Sequence, residues 1–217
     1  MFPDPSKRLI RTLVKSHVAH SNDFDDFVRG KGKGLVGLLA GPPGVGKTLT
    51  AEAVAETVQR PLYMLSSGEL GSDPDIIDER LERVFRLAQT WKAVLLLDEA
   101  DIFMAKRTAA DIARNAVVSI FLRQLEYYQG ILMLTTNRVD EIDDAFRSRI
   151  HFQLTYSDLD ATARKAIWHG FMREISKTSD VEIEEDGPEM DKLAEMNMNG
   201  RQVSLMICLI TPKVFRS

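Results

Sequence analysis

The apolar positions change period along this chain, and the change separates two regions. From Pro5 to His17, Leu9, Ile10, Leu13 and Val14 recur at helical spacing with Lys and Arg opposite them, which predicts an amphipathic helix packed on the body. The polar stretch Ser21 to Gly34, ending Gly30-Lys31-Gly32-Lys33-Gly34, reads as a loop. Five short apolar runs then read as buried strands: Leu35 to Ala40, Leu62 to Leu65, Ala93 to Leu97, Ile131 to Thr135 and Ile150 to Leu154. Thr48 to Gln59, Asp75 to Thr90 and Asp111 to Tyr127 carry the helical pattern between them. Strands alternating with helices need right-handed crossovers and a parallel sheet covered on both faces. The expectation is an α/β fold, a three-layer α/β/α domain with a five-stranded parallel sheet, occupying 1–155 with its N-terminal helix. From Asp158 the alternation stops. Asp160 to Lys177, Glu189 to Met196 and a segment from Asn199 read as helices, so 156–217 is expected to be a small helical lid. The acidic run Glu182 to Asp186 reads as a solvated turn.

Composition narrows the classes of partner. A chain of 217 residues is long enough for a real core, and its net charge of −4 comes from intermixed acids and bases. There is no one-sign stripe of the kind a nucleic-acid surface needs, so a nucleic-acid partner is not indicated. The one cysteine, Cys208, sits in an apolar run and has no internal disulfide mate, which fits a reducing, intracellular compartment, with cytoplasm, nucleus and organelle interior undistinguished. No apolar run approaches a membrane span, and Met1-Phe2-Pro3-Asp4-Pro5 lacks the pattern of a signal peptide.

The chemistry concentrates at two places. Gly41-Pro42-Pro43-Gly44-Val45-Gly46-Lys47-Thr48, followed by Leu49, matches G-x-x-x-x-G-K-[ST] between an expected strand and an expected helix, the context that motif requires. Glycines let successive backbone N–H groups turn inward around phosphates, and the helix that follows points its positive end at them. Lys47 would place a compact charge on the β and γ phosphates of ATP, and the Thr48 hydroxyl would ligate Mg²⁺. Farther along, Val94-Leu95-Leu96-Leu97 delivers Asp98 and Glu99 to the carboxyl edge of the sheet, where ligands bind in parallel folds. Asp98 is expected to hold the Mg²⁺, mostly through its water, and Glu99 to orient and deprotonate the attacking water.

Taken with the glycine loop, Asp98-Glu99-Ala100-Asp101 resembles the AAA+ ATPases, and the likeness continues in order over about residues 35–203. Leu134-Thr135-Thr136-Asn137-Arg138 is similar to the family's fourth strand and sensor, which implies that Asn137 lies near the γ phosphate and the lytic water. Asp143-Asp144-Ala145-Phe146-Arg147-Ser148-Arg149-Ile150 resembles the segment that carries arginine fingers, with Arg149 the first choice and Arg147 the second; its spacing is one residue tighter than Arg-Pro-Gly-Arg. Asn199-Gly200-Arg201-Gln202 resembles the second sensor, which implies that Arg201 touches the nucleotide from the lid. Leu125-Glu126-Tyr127-Tyr128-Gln129-Gly130 before the fourth strand looks most like fungal-type members. The likeness weakens over Ser204 to Ser217. It implies an ATP-hydrolysing subunit of a homo-oligomeric ring, a hexamer, that remodels a protein substrate the sequence does not identify.

Other residues take plainer roles. His17, His20, His151 and His169 show no ligand-like pairing, and Trp91 and Trp168 are expected to pack. Met190, Met196, Met198 and Met206 suit a lid core, with a partner groove the alternative. Ser67 to Asp73 occupies the place where ring unfoldases put a pore aromatic; none is present, and Leu70 is the residue there that could grip a substrate weakly. Lys106, Arg107 and Arg114 read equally well as solvated or as facing a pore or neighbouring subunit. The missing aromatic leaves a second reading open, a nucleotide-dependent assembly switch or binding module with slow hydrolysis. Nucleic-acid remodelling is a third and the least supported.

Overall fold

A computed structural model of the chain describes residues 4–19, 34–178 and 187–210. Residues 21–33 of the expected loop Ser21 to Gly34, the acidic run 182–186 and the terminal 211–217 lie outside the described residues.

The elements follow in the order α1 (Asp4–Ala19), β1 (Leu35–Ala40), α2 (Lys47–Thr57), β2 (Leu62–Ser66), α3 (Ser67–Leu70), α4 (Pro74–Thr90), β3 (Val94–Asp98), α5 (Asp101–Met104), α6 (Ile112–Tyr127), β4 (Ile131–Thr136), a 3₁₀ turn Val139–Glu141, α7 (Asp144–Arg147), β5 (Phe152–Thr155), α8 (Ala161–Thr178), α9 (Pro188–Glu195) and α10 (Gly200–Ile210). All strand pairings within the sheet are parallel, in the order β2-β3-β4-β1-β5. Every residue of β1 and β4 is buried, as a sheet covered on both faces requires. One face packs Val36, Leu38, Leu95, Leu97, Leu132 and Leu134 against α4 and α6, where Phe85, Phe103, Phe121 and Phe146 form an aromatic chain with ring centroids 5.1 to 6.3 Å apart. Burying each such side chain contributes roughly 1.5–3 kcal/mol. Helix α2 packs against β2, β3 and β4 and touches α1. The result is a three-layer α/β/α P-loop fold.

Helix ends follow local chemistry. Asp73 caps α4 by accepting from the Asp75 N–H at 3.0 Å, with Pro74 in the first turn where a missing N–H costs nothing. Asp111 caps α6 and Asp143 caps α7 in the same way. Between α4 and α6, Asp78 accepts from Arg123 at 2.6 Å and from Gln124 at 2.8 Å, and these bonds hold its carboxyl below the usual range.

The chain divides into two compact units. The larger comprises 2–41 and 47–156; the smaller groups Pro42–Gly46 with Ser157–Ser217. In the smaller unit Trp168, Met190 and Val203 are buried, with Phe171, Leu193, Met198 and Met206 packed on them, so three of the four lid methionines fill a core while Met196 is exposed.

Several expectations change. Strand β5 starts at Phe152 rather than Ile150, because Arg149 and Ile150 still bond back to the Phe146 carbonyl in a helical turn and pairing with β1 begins at Gly37 and Phe152. Ser67 to Leu70 is a helical turn, closed by the Ser66 N–H on Glu69 Oε1 at 3.3 Å, and Leu70 is 1 % exposed in the main core. Leu70 therefore cannot grip a substrate. Trp91 is 56 % exposed and packs only loosely, its ring 6.0 Å from that of Tyr63. Arg107 is not merely solvated; its Nε pairs with Oδ2 of buried Asp143 in its own body at 3.0 Å.

Candidate nucleotide site

The loop after β1 is shaped by its glycines. Gly44 and Gly46 have φ of +76° and +96°, conformations that side chains other than glycine resist. A Cβ on Gly44 would sit 2.7 Å from Asn199, and one on Gly200 would sit 2.8 Å from the Gly44 carbonyl, which accepts the Gly200 N–H at 2.9 Å. Within the smaller unit the loop and the start of α10 thus meet backbone to backbone. Gly41, at the end of β1, is fixed by its N–H on the Thr136 carbonyl at 3.1 Å.

Lys47 is the first residue of α2 and is buried. Its Nζ donates to the Gly41 carbonyl at 2.6 Å and to Asn137 Oδ1 at 2.7 Å. These two acceptors are neutral oxygens, and the ammonium belongs to the first residue of an 11-residue helix, its positive end. That donor set fits a polyphosphate. Thr48 is half-buried on the same turn, and Leu49 is 67 % exposed.

Strand β3 delivers Asp98 half-buried and Glu99 exposed. Glu99 adopts φ +54°, a left-handed conformation unusual for a branched-off acid, which turns the chain sharply at the strand edge. Its N–H donates to Thr135 Oγ1 at 2.9 Å, and that hydroxyl in turn donates to Asp98 Oδ1. On β4 the next residue, Thr136, donates to Asp101 and accepts the Arg138 N–H at 2.9 Å. Asp98 Oδ2 makes no hydrogen bond among the described residues, so one carboxylate oxygen is available at the carboxyl end of β3. With the Thr48 hydroxyl it is the kind of hard oxygen donor that Mg²⁺ takes alongside phosphate oxygens and water. Among the described residues no group of three or more His, Cys, Asp or Glu could hold a metal alone.

The two arginine candidates differ. Arg149 donates to Glu126 Oε1 at 2.6 Å and to the Ala145 carbonyl at 2.8 Å. Arg147 is more exposed, on α7, with Asp144 3.6 Å away. Arg201 is exposed on the first turn of α10. The larger unit thus brings together Gly41, Lys47 and Asn137, and separately Asp98 and Glu99; Arg147 and Arg149 lie on the segment after α7 begins. Thr135 and Glu126 belong to these networks although the segments that contain them give neither a role.

A glycine loop followed by a buried lysine at the start of a helix, together with two acids at the end of a parallel strand, defines a P-loop nucleotide-binding protein. The chain belongs to the AAA family of ATPases: residues 37–157, more than half of it, match the model of the "ATPase family associated with various cellular activities (AAA)". It is 30 % identical over 187 residues to a cell division cycle protein 48 homolog of Archaeoglobus fulgidus, covering 82 % of this chain and 25 % of that protein. It is 26 % identical over 207 residues to a 26S proteasome regulatory subunit 6B homolog of Dictyostelium discoideum, covering 88 % of this chain and 50 % of that one. The chain thus spans between a quarter and half of these relatives. In fold it is similar to the FIGL-1 AAA domain solved in complex with ADP, with a TM-score of 0.69 and 21 % identity over 93 % of this chain and 68 % of the other. Among the described residues no helix is long and apolar enough to cross a membrane.

Proposed function

We propose that this AAA chain binds ATP with Mg²⁺ and hydrolyses it within a homo-oligomeric ring, using the energy to remodel a protein or complex. One observation carries the reading: the buried Lys47 ammonium, at the start of α2, donates to the Gly41 carbonyl and to Asn137 Oδ1. The loop amides and Lys47 would bind the β and γ phosphates, and Arg201 would meet the nucleotide from α10, one residue beyond the Gly200 that bonds the loop. Thr48 and Asp98 would hold Mg²⁺, whose charge offsets that of the phosphate oxygens. Asn137 orients a water, and Glu99 takes its proton as the water oxygen bonds to the γ phosphorus and the bond to ADP breaks. Arg149, with Arg147 second, would reach a neighbouring subunit's γ phosphate.

The test is calorimetry and phosphate release. Lys47→Ala is expected to weaken Mg·ATP binding by about 100-fold, the order a lost charge-assisted contact to phosphate implies. Glu99→Gln is expected to bind normally and to lose about 1,000-fold in turnover. No Mg²⁺-dependent ATP affinity in folded wild-type protein overturns the reading. A second reading, a nucleotide-driven assembly switch with slow hydrolysis, is favoured by one finding: Leu70 is buried and the Ser67 to Asp73 segment offers no aromatic grip. It expects ATP binding without turnover to change oligomer size or partner affinity, and identical behaviour with and without nucleotide removes it.

A further inference from the structure

We infer that Thr135 is a positioning residue that holds Asp98 and Glu99 as one unit, so that the acid assigned to the metal and the acid assigned to the water keep a fixed relation. The inference rests on the reading of the two acids given above. Thr135 is 1 % exposed near the end of β4, opposite Leu39 of β1 and one residue past the last pair of β4 with β3, Leu97 with Leu134. A hydroxyl has one proton to give and lone pairs to receive, and this one uses both: it donates to Asp98 Oδ1 and accepts the Glu99 N–H at 2.9 Å. The Thr135 carbonyl then accepts the Ala100 N–H at 2.9 Å, so three successive residues of the β3 edge are tied to one residue of β4.

The arrangement has a chemical consequence for each acid. Glu99 sits at φ +54°, a conformation an L side chain keeps only where its surroundings over-determine it, and the bond to Thr135 Oγ1 is what engages its N–H. On Asp98, occupying Oδ1 leaves Oδ2 as the oxygen turned to other partners. The alternation of the strand puts Thr136 on the opposite face, where it serves Asp101 and the Arg138 N–H, so it cannot substitute. Thr135 lies in the segment that resembles the family's fourth strand, but that resemblance assigns a role to Asn137 and none to Thr135. Its role comes from the register of β3 against β4.

The decisive comparison is Thr135→Val, which keeps shape and removes both bonds, against Thr135→Ser, which keeps the hydroxyl. Three readouts are taken. Amide exchange at Glu99 in nucleotide-free protein should speed up about 10-fold or more in Val and stay near wild type in Ser, since the bond lost from the hydroxyl is the one that protects this amide. Titration with fluorescent ADP should show that Mg²⁺ tightens binding in wild type and Ser but hardly in Val, with Mg²⁺-free affinity alike in all three. Turnover should fall by about 10- to 100-fold in Val with KM for ATP within about threefold, the signature of misplaced groups rather than lost binding. Should Val not fold, Thr135→Ala removes the same hydroxyl without added bulk and is read identically. Wild-type amide protection at Glu99 in the Val or Ala variant overturns the inference. The amide measurement needs no nucleotide, so a failure of ATP binding in wild type sinks the proposed function and leaves this result to stand or fall alone.

Discussion

Arg149 is held within its own body, bonded to Glu126 at 2.6 Å and to the Ala145 carbonyl at 2.8 Å, with both side chains of the ion pair less than a third exposed. Such a pair can serve stability or can aim a guanidinium, and magnitude separates the two. A partly exposed pair contributes about 1 kcal/mol or less to folding, whereas a finger that stabilises charge in phosphoryl transfer is worth about 1,000-fold in rate. Glu126→Gln, which keeps an acceptor and removes the charge, is expected to cost about 1 kcal/mol or less in urea unfolding and under about 10-fold in turnover. Arg149→Ala is expected to leave stability similarly affected yet remove about 1,000-fold of the activity. Equal, small losses of turnover for both would assign Arg149 to packing. At this scale the sequence was informative where residues are linked by a motif: Lys47, Asp98 and Glu99 stand out by spacing and context, and Asn137 through the resemblance to the family's sensor segment. Thr135 and Glu126 were silent, because one acts through strand register and the other through a helix end meeting a loop 23 residues later.

Between β4 and β5 the chain is braced by an element no periodicity could reveal. Ala105 bridges Ile142 in antiparallel fashion, the Asp143 N–H bonds the Met104 carbonyl at 2.8 Å, and the Lys106 N–H bonds the Glu141 carbonyl at 2.8 Å. Asp143 then caps α7 through the Ala145 N–H at 2.9 Å while accepting from Arg107. Burial alone would raise this carboxyl, but the bonds from Arg107 and from the Ala145 and Arg107 backbones outweigh it and hold it below the ordinary value. Asp143→Ala loses cap and buried ion-pair partner together and is expected to cost about 2–3 kcal/mol; Asp143→Asn keeps the cap and should cost about 1 kcal/mol, read from urea midpoints. Long elements were legible because ten or more residues average out local noise, and five strands and the long helices fall within a few residues of their predicted places. The four-residue helices α3, α5 and α7 were not, since one turn has no period and is made by caps and tertiary bonds. Helix α1 adds a pH dependence. His17 is held below its usual value by burial, then by Arg60 and His151, and its Nε2 finds no hydrogen-bond partner among the described residues. The folded state thus resists a proton that the unfolded chain accepts, so stability is complete above about pH 6.5 and declines below it. The melting temperature should drop from about pH 7.5 to about pH 5.5, and His17→Gln should flatten that drop.

For the whole molecule the open question is whether one chain holds a complete catalytic set. Lys47, Asp98, Glu99 and Asn137 gather at the carboxyl edge of β1, β3 and β4, whereas Arg149 is bonded to the end of α6 and to α7. If the arginine acts on a neighbour, a site is shared by two copies, and in a closed ring of identical chains each copy gives a finger to one neighbour and receives one from the other. Defects in the two halves then become separable. A Glu99→Gln subunit still offers its arginine, and an Arg149→Ala subunit still offers its carboxylate, so an interface with the second as acceptor and the first as donor is intact. Randomly mixed in equal amounts, about one interface in four has that composition, so two preparations each nearly inactive should recover up to about a quarter of wild-type turnover after exchange of subunits. The recovery should grow with protein concentration, because it requires assembly. A mixture no more active than its parts, at concentrations where size-exclusion shows mixed oligomers, would mean that the arginine does not act across the interface. The catalytic set would then have to be sought within one copy.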